Sequence, residues 1–181
     1  MIRLSSQLIL QMSSNLRLVE SLVALWVRLL ARKKSEGMNS SEKIYAEAKK
    51  YLGTKESPGS ASTTIIRQWI TAAADWLDKD DSKTAWCGCF RGAVGMATGT
   101  GVPKAHYRAV SWQEWGNRVP LSNPKIWQQG DTVVMTRPGG NHVCIIDRVV
   151  GDYAYCLGGN QSDAVTVSRF PISRITAVRR G

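Results

Sequence analysis

The sequence predicts an α+β fold, with helices first and an antiparallel sheet after them. Three observations carry this. Up to about residue 98 the apolar residues recur at helical spacing. From Gly130 the period changes to short β-rich runs, "DTVVM", "HVCIIDRVV", "YAYCLGG" and "AVTVSRF", split by "TRPGGN", "GD" and "NQSD" in the manner of successive hairpins. The chain has 181 residues, 43% of them apolar, which suits one domain with some decoration and argues against disorder in the bulk.

Residues 1–37 form a basic, amphipathic extension and linker. Arg3, Arg17, Arg28, Arg32, Lys33 and Lys34 face only Glu20 and Glu36 there, which accounts for +4 of the formal +10. Charges interrupt the apolar run well short of the about 20 residues that a bilayer span needs, and no clean signal-peptide core or cleavage site stands out. As a helix, the segment puts Arg17, Ser21, Ala24 and Arg28 on a narrow polar stripe and Leu18, Leu22, Leu25, Trp26 and Leu29 on a broad apolar side. Three readings stay open: a helix docking on its own domain or a partner, a membrane-surface contact through residues 16–34, or an extension with no fixed structure ahead of Met38.

The domain proper is expected over 38–181. Asn39 and Glu42 have the spacing of a reciprocal helix cap, followed by Ile44, Ala48, Tyr51 and Leu52. "GTKESPGSAS" is loop. A second helix is expected from Thr63 to Trp76, with Ile66, Trp69, Ile70 and Ala73 on one face and Trp69 and Trp76 in the core. A third starts at Cys87, its small residues Gly88, Gly92, Ala93, Gly95 and Ala97 suiting close packing, and ends at "TGTGVP".

The stretch "TAWCGCFRGAV" (84–94) carries the chemistry. Four cysteines make no disulfide framework. Zinc is one reading of Cys87, with Cys89, His142 and Cys144 as further soft ligands. A helix starting at Cys87 argues against it, because Cys89 then points about 200° away around the axis. Core filling is the second reading, and it suits Cys89, Cys144 and Cys156, which sit in apolar company. Catalysis is the third: a thiol on the first turn of a helix faces unpaired N–H groups, which favours the thiolate. Its base would be one of two histidines. His142 starts a strand after "RPGGN", whereas His106 reads as structural or as a cleft wall. Asn160, at the end of the strand after His142's own, would orient the ring, with Gln161 as the neighbouring substitute.

In order, "YLGTKESPG", "AWCGCFRGAV", "VPKAHYRAVSWQEWG", "GDTVVMTRPGGNHVCIID" and "LGGNQSDAVTVSRFPISRI" resemble the NlpC/P60 and CHAP superfamily of papain-like cysteine peptidases and amidases. The likeness is strongest to a compact branch found in phage lysins and bacterial cell-wall hydrolases. It spans about residues 41–180 and leaves out 1–37. The resemblance implies a papain-like fold with the nucleophile at a helix N-terminus, Cys87 as nucleophile, His142 as general base and then acid, and Asn160 as orienting residue. It implies hydrolysis of a peptidoglycan stem-peptide amide, by endopeptidase or N-acetylmuramoyl-L-alanine amidase action, with no cofactor and no metal.

Candidate substrate contacts are Glu56, for a free amine, the aromatics Trp86, Trp112 and Trp115, and Gln161. A solvated loop charge is the alternative for Glu56, and core packing for Trp112 and Trp115. Asp80 and Asp81 read as a solvated turn. The expected partner is peptidoglycan, whose anionic wall suits a basic protein, and the chain shows no zinc-finger or RNP motif for nucleic acid. The expected setting is synthesis in the bacterial cytoplasm and action in the periplasm or wall, as a phage endolysin or other bacteriolytic enzyme. Two alternatives are a secreted, type VI-like amidase toxin, which implies a cognate immunity protein, and a non-catalytic wall- or membrane-binding module on a degenerate peptidase scaffold.

Overall fold

The computed structural model describes residues 17, 19–27, 29, 37–57 and 63–181. Its contacts divide the chain into two units, Met1–Met38 and Asn39–Gly181. In the first, residues 19–27 are helical, and Leu22, Leu25, Trp26 and Leu29 are exposed. Leu18, Arg28, the Arg32-Lys33-Lys34 cluster and the loop 58–62 lie outside the described residues. Among the described residues no helix is long and apolar enough to cross a membrane.

Among the described residues the second unit is α+β, with three α-helices and a six-stranded, wholly antiparallel sheet. Helix α1, Ser40–Lys49, begins at the expected cap: the Asn39 side chain accepts from the Glu42 N–H, and the Glu42 carboxylate accepts from the Asn39 N–H. Helix α2, Thr64–Ala73, buries Ile66, Trp69 and Ile70. It stops short of the expected end because Ala74 turns extended, so Trp76 is 68% exposed rather than core. Helix α3, Cys87–Thr98, starts at the predicted residue. Gly88 and Gly92 let it lie against the segment 105–108. A Cβ on Gly88 would stand 2.4 Å from the Tyr107 carbonyl oxygen, and one on Gly92 would stand 2.2 Å from the His106 ring.

The strands are β1 (Asn117–Val119), β2 (Thr132–Arg137), β3 (Gly140–Val150), β4 (Tyr153–Gly158), β5 (Thr166–Pro171) and β6 (Ile175–Arg180), in the sheet order β1-β6-β2-β3-β4-β5. Alternation along β2 and β3 divides the core between two faces. Val134, Val143 and Ile145 join the helices, while Val133, Met135, Cys144 and Ile146 face a second cluster with Trp127 and Cys156. The helix-side core holds an unusual cation. Arg91, on α3, is fully buried with its guanidinium 4.4 Å from the Trp112 ring and 4.6 Å from the Trp115 ring. Its Nε donates to Thr132 Oγ1, and burial pushes its pKa down to about 9.

Candidate active site

Three local structures build the site. The first is the start of α3. Trp86 caps the helix without a side-chain hydrogen bond, so the first-turn N–H groups are left for the cysteine. The N–H groups of Cys87 and Gly88 face its own sulfur, and the N–H of Val143 on β3 reaches it from the sheet. The second is the β2–β3 hairpin, where His142 pairs with Met135 across the ladder and Arg137 stands at the tip. The third is the turn after β4. There Asn160, Ser162 and Asp163 all take positive φ, at 57°, 52° and 59°. Residues 53–56 brace this turn from outside, with Gly53 N–H donating to Val165 O, Val165 N–H to Thr54 O and Glu56 N–H to Asp163 O.

This turn delivers Gln161, not Asn160, to the imidazole. His142 Nε2 lies 3.0 Å from Gln161 Oε1, both groups being buried. The Gln161 amide nitrogen donates to the carbonyls of Thr166 at 2.6 Å and Cys156 at 3.2 Å. Two carbonyl acceptors fix which end of the amide is nitrogen, so the oxygen must face the ring. The ring therefore carries its proton on Nε2. Nδ1 is left as a bare lone pair, buried and without a hydrogen-bond partner. Asn160 lines the cavity beside His142 but makes no side-chain hydrogen bond among the described residues.

Cys87 and His142 are 2% and 3% exposed. No hydrogen bond joins them among the described residues. The sulfur belongs to the helix-side cluster, and the ring lies on the other face of β3, 5.8 Å from Phe170. They approach at the hairpin end of the sheet, where the sulfur sits against the residue that follows His142. Two cavities share Arg137 as a wall. One, of about 490 Å³, is lined by Cys87, Tyr107, Arg108 and Arg137; the other, of about 290 Å³, by His142, Asn160, Arg174 and again Arg137.

The electrostatics differ from the sequence-based expectation of an ionised sulfur. Burial raises the Cys87 thiol pKa, and the Val143 N–H, the Arg137 charge and the helix N–H groups only partly offset it. Burial also pushes the His142 imidazole down to about 4; the Gln161 hydrogen bond opposes this, and the charges of Arg137 and Arg174 reinforce it. The resting pair is a neutral thiol and a neutral imidazole.

The other predicted contacts are elsewhere. Trp86 and Trp112 are fully buried and Trp115 is nearly so, which leaves no ring face for a substrate. Glu56 accepts a 2.9 Å hydrogen bond from the Trp86 indole and is pushed up by burial, with Asp163 and Asp81 nearby. It braces the core instead of meeting an amine. Asp81 is buried and accepts from the N–H groups of Ser57 and Thr63. His106 is buried against Gly92. The aromatic beside the cleft is Trp76, edge-on to the cleft residue Tyr107 at 5.3 Å. Sequence reasoning missed it because helical spacing placed it inside. Cys89, Cys144 and Cys156 are buried free thiols, and no group of three or more His, Cys, Asp or Glu side chains is placed to hold a metal among the described residues.

No protein-family model matches the chain, and no curated protein matches it at a significant level.

Proposed function

We propose that this chain is a cysteine amidase or peptidase of papain-like, NlpC/P60 type that hydrolyses an amide bond of the peptidoglycan stem peptide. The observation that carries the reading is the buried imidazole of His142. Its Nε2 is bound to Gln161, its Nδ1 has no partner, and it stands one strand residue from the N–H that meets a helix-terminal sulfur. His106, packed against Gly92, also has an unpartnered buried Nε2, so the bare Nδ1 of His142 supports the reading only together with the sulfur held next to Val143.

The chemistry follows from neutral partners. When substrate enters, Nδ1 takes the thiol proton as the sulfur bonds to the amide carbon. The tetrahedral oxyanion is stabilised by backbone N–H groups at the start of α3. The C–N bond breaks as the imidazolium returns its proton to the leaving amine, and a thioester remains. Water then attacks the thioester carbon, giving its proton to Nδ1, and the carboxylate leaves as the thiol re-forms. For this chemistry the sulfur and the ring, not bonded to each other in the free protein, must come within hydrogen-bond reach in the substrate complex.

The test is digestion of purified sacculi. Mass spectrometry of the products is expected to show new free amines on the stem peptide for an endopeptidase, or freed lactyl ends for an amidase. Cys87→Ser is expected to lose the activity by several orders of magnitude. Undiminished wall degradation by Cys87→Ser overturns the proposal.

A further inference from the structure

Arg137 is half-buried at the hairpin tip, forms a wall of both cavities, and makes no side-chain hydrogen bond or ion pair among the described residues. A partly desolvated guanidinium without an anion is electrostatically incomplete. Among the described residues, the charged side chains that line the two cavities with it are all cations. Lys83 and Arg108 share the cavity over Cys87 and Arg174 the one beside His142, and no Asp or Glu lines either. Lys83 pairs with Asp80, and Arg174 donates to the Thr136 carbonyl. Arg108, exposed, has no such partner among the described residues.

We infer that Arg137, with Arg108 beside it, forms a carboxylate-binding subsite, so that the substrate carries a free carboxylate within about one residue of the scissile amide. This rests on the amide-hydrolase reading above. A planar guanidinium suits bidentate recognition of a carboxylate, and Arg137 lines both the cavity over Cys87 and the one beside His142.

Two measurements on the full chain keep the inference and its premise apart. The first is calorimetric binding of an N-acetylated glutamyl-alanine dipeptide and its carboxamide counterpart to the Cys87→Ala variant. The carboxylate form is expected to bind roughly tenfold or more tightly, and Arg137→Gln in that background is expected to remove the difference, with Arg137→Lys restoring part of it. Equal binding of the two forms, or none, overturns the subsite. The second is hydrolysis of sacculi whose stem carboxylates are free or chemically amidated. Arg137→Gln also withdraws a charge that favours the thiolate, so both substrates slow, and the ratio of their kcat/KM values isolates recognition. Wild-type hydrolysis that ignores amidation overturns the subsite and leaves the hydrolase reading standing. Selective carboxylate binding without any hydrolysis sinks the hydrolase reading and upholds the subsite.

Discussion

Replacing Gln161 by Ala tests how the imidazole is held. The amide makes one hydrogen bond to His142 Nε2 at 3.0 Å and two to carbonyls at 2.6 and 3.2 Å. Its loss leaves a buried ring with neither nitrogen partnered. A buried polar group stranded in this way costs about 1–3 kcal/mol, and for a chain of this size that corresponds to a fall in Tm of roughly 2–12 °C. The tautomer is also released, so the proton need no longer sit on Nε2. Because a positioned base contributes about 10²- to 10⁴-fold, kcat is expected to drop about 100-fold with KM nearly unchanged. Asn160→Ala forfeits no hydrogen bond. It strains a residue at φ 57°, which should cost about 1 kcal/mol and change kcat by less than about threefold. Nitrogen NMR of the resting protein should show His142 protonated at Nε2 and bare at Nδ1. A larger kcat loss for Asn160→Ala than for Gln161→Ala, or a proton on Nδ1, would refute the reasoning.

Three further outcomes are expected. The His142 pKa of about 4 lies below its unfolded value of 6.5, so the unfolded chain binds the proton first and stability falls as pH drops through that window. The loss is about 3 kcal/mol by pH 4, and urea unfolding of His142→Phe should show a pH slope smaller by that amount; an unchanged slope contradicts the assignment. Arg91→Met should leave stability within about 1 kcal/mol, because an apolar side chain relieves the buried charge, whereas Trp112→Ala should cost about 3–5 kcal/mol; a large loss for Arg91→Met in thermal melts would show that the guanidinium holds the two indoles together. Trp76→Ala should raise KM on sacculi severalfold with Tm nearly unchanged, since the ring is exposed beside the cleft; an unaltered KM removes it from the substrate path.

Much of the fold was legible because local rules and tertiary structure agree. The Asn39–Glu42 cap, the helix beginning at Cys87 and the hairpins around "TRPGGN" and "GD" are short-range features, and each formed where it was read. Strands β1 and β6 were not read. β1 spans three residues, and β6 completes the sheet between β1 and β2, partners distant in sequence. The site was legible by residue type but not by geometry. Sequence order puts Asn160 first with Gln161 as its substitute, and the choice falls to Gln161 in a turn whose residues Asn160, Ser162 and Asp163 are left-handed. Charge at the sulfur was misread for a related reason. A helix terminus is a local property that favours the thiolate, while burial under the hairpin is a tertiary property that outweighs it. Arg137 escaped notice because nothing in "TRPGGN" tells a turn cation from a cleft wall.

A sulfur that is 2% exposed and whose thiol pKa burial raises is a poor target for peroxide, glutathione disulfide or small alkylating agents. The resting protein should therefore keep its activity through purification in air without added reductant.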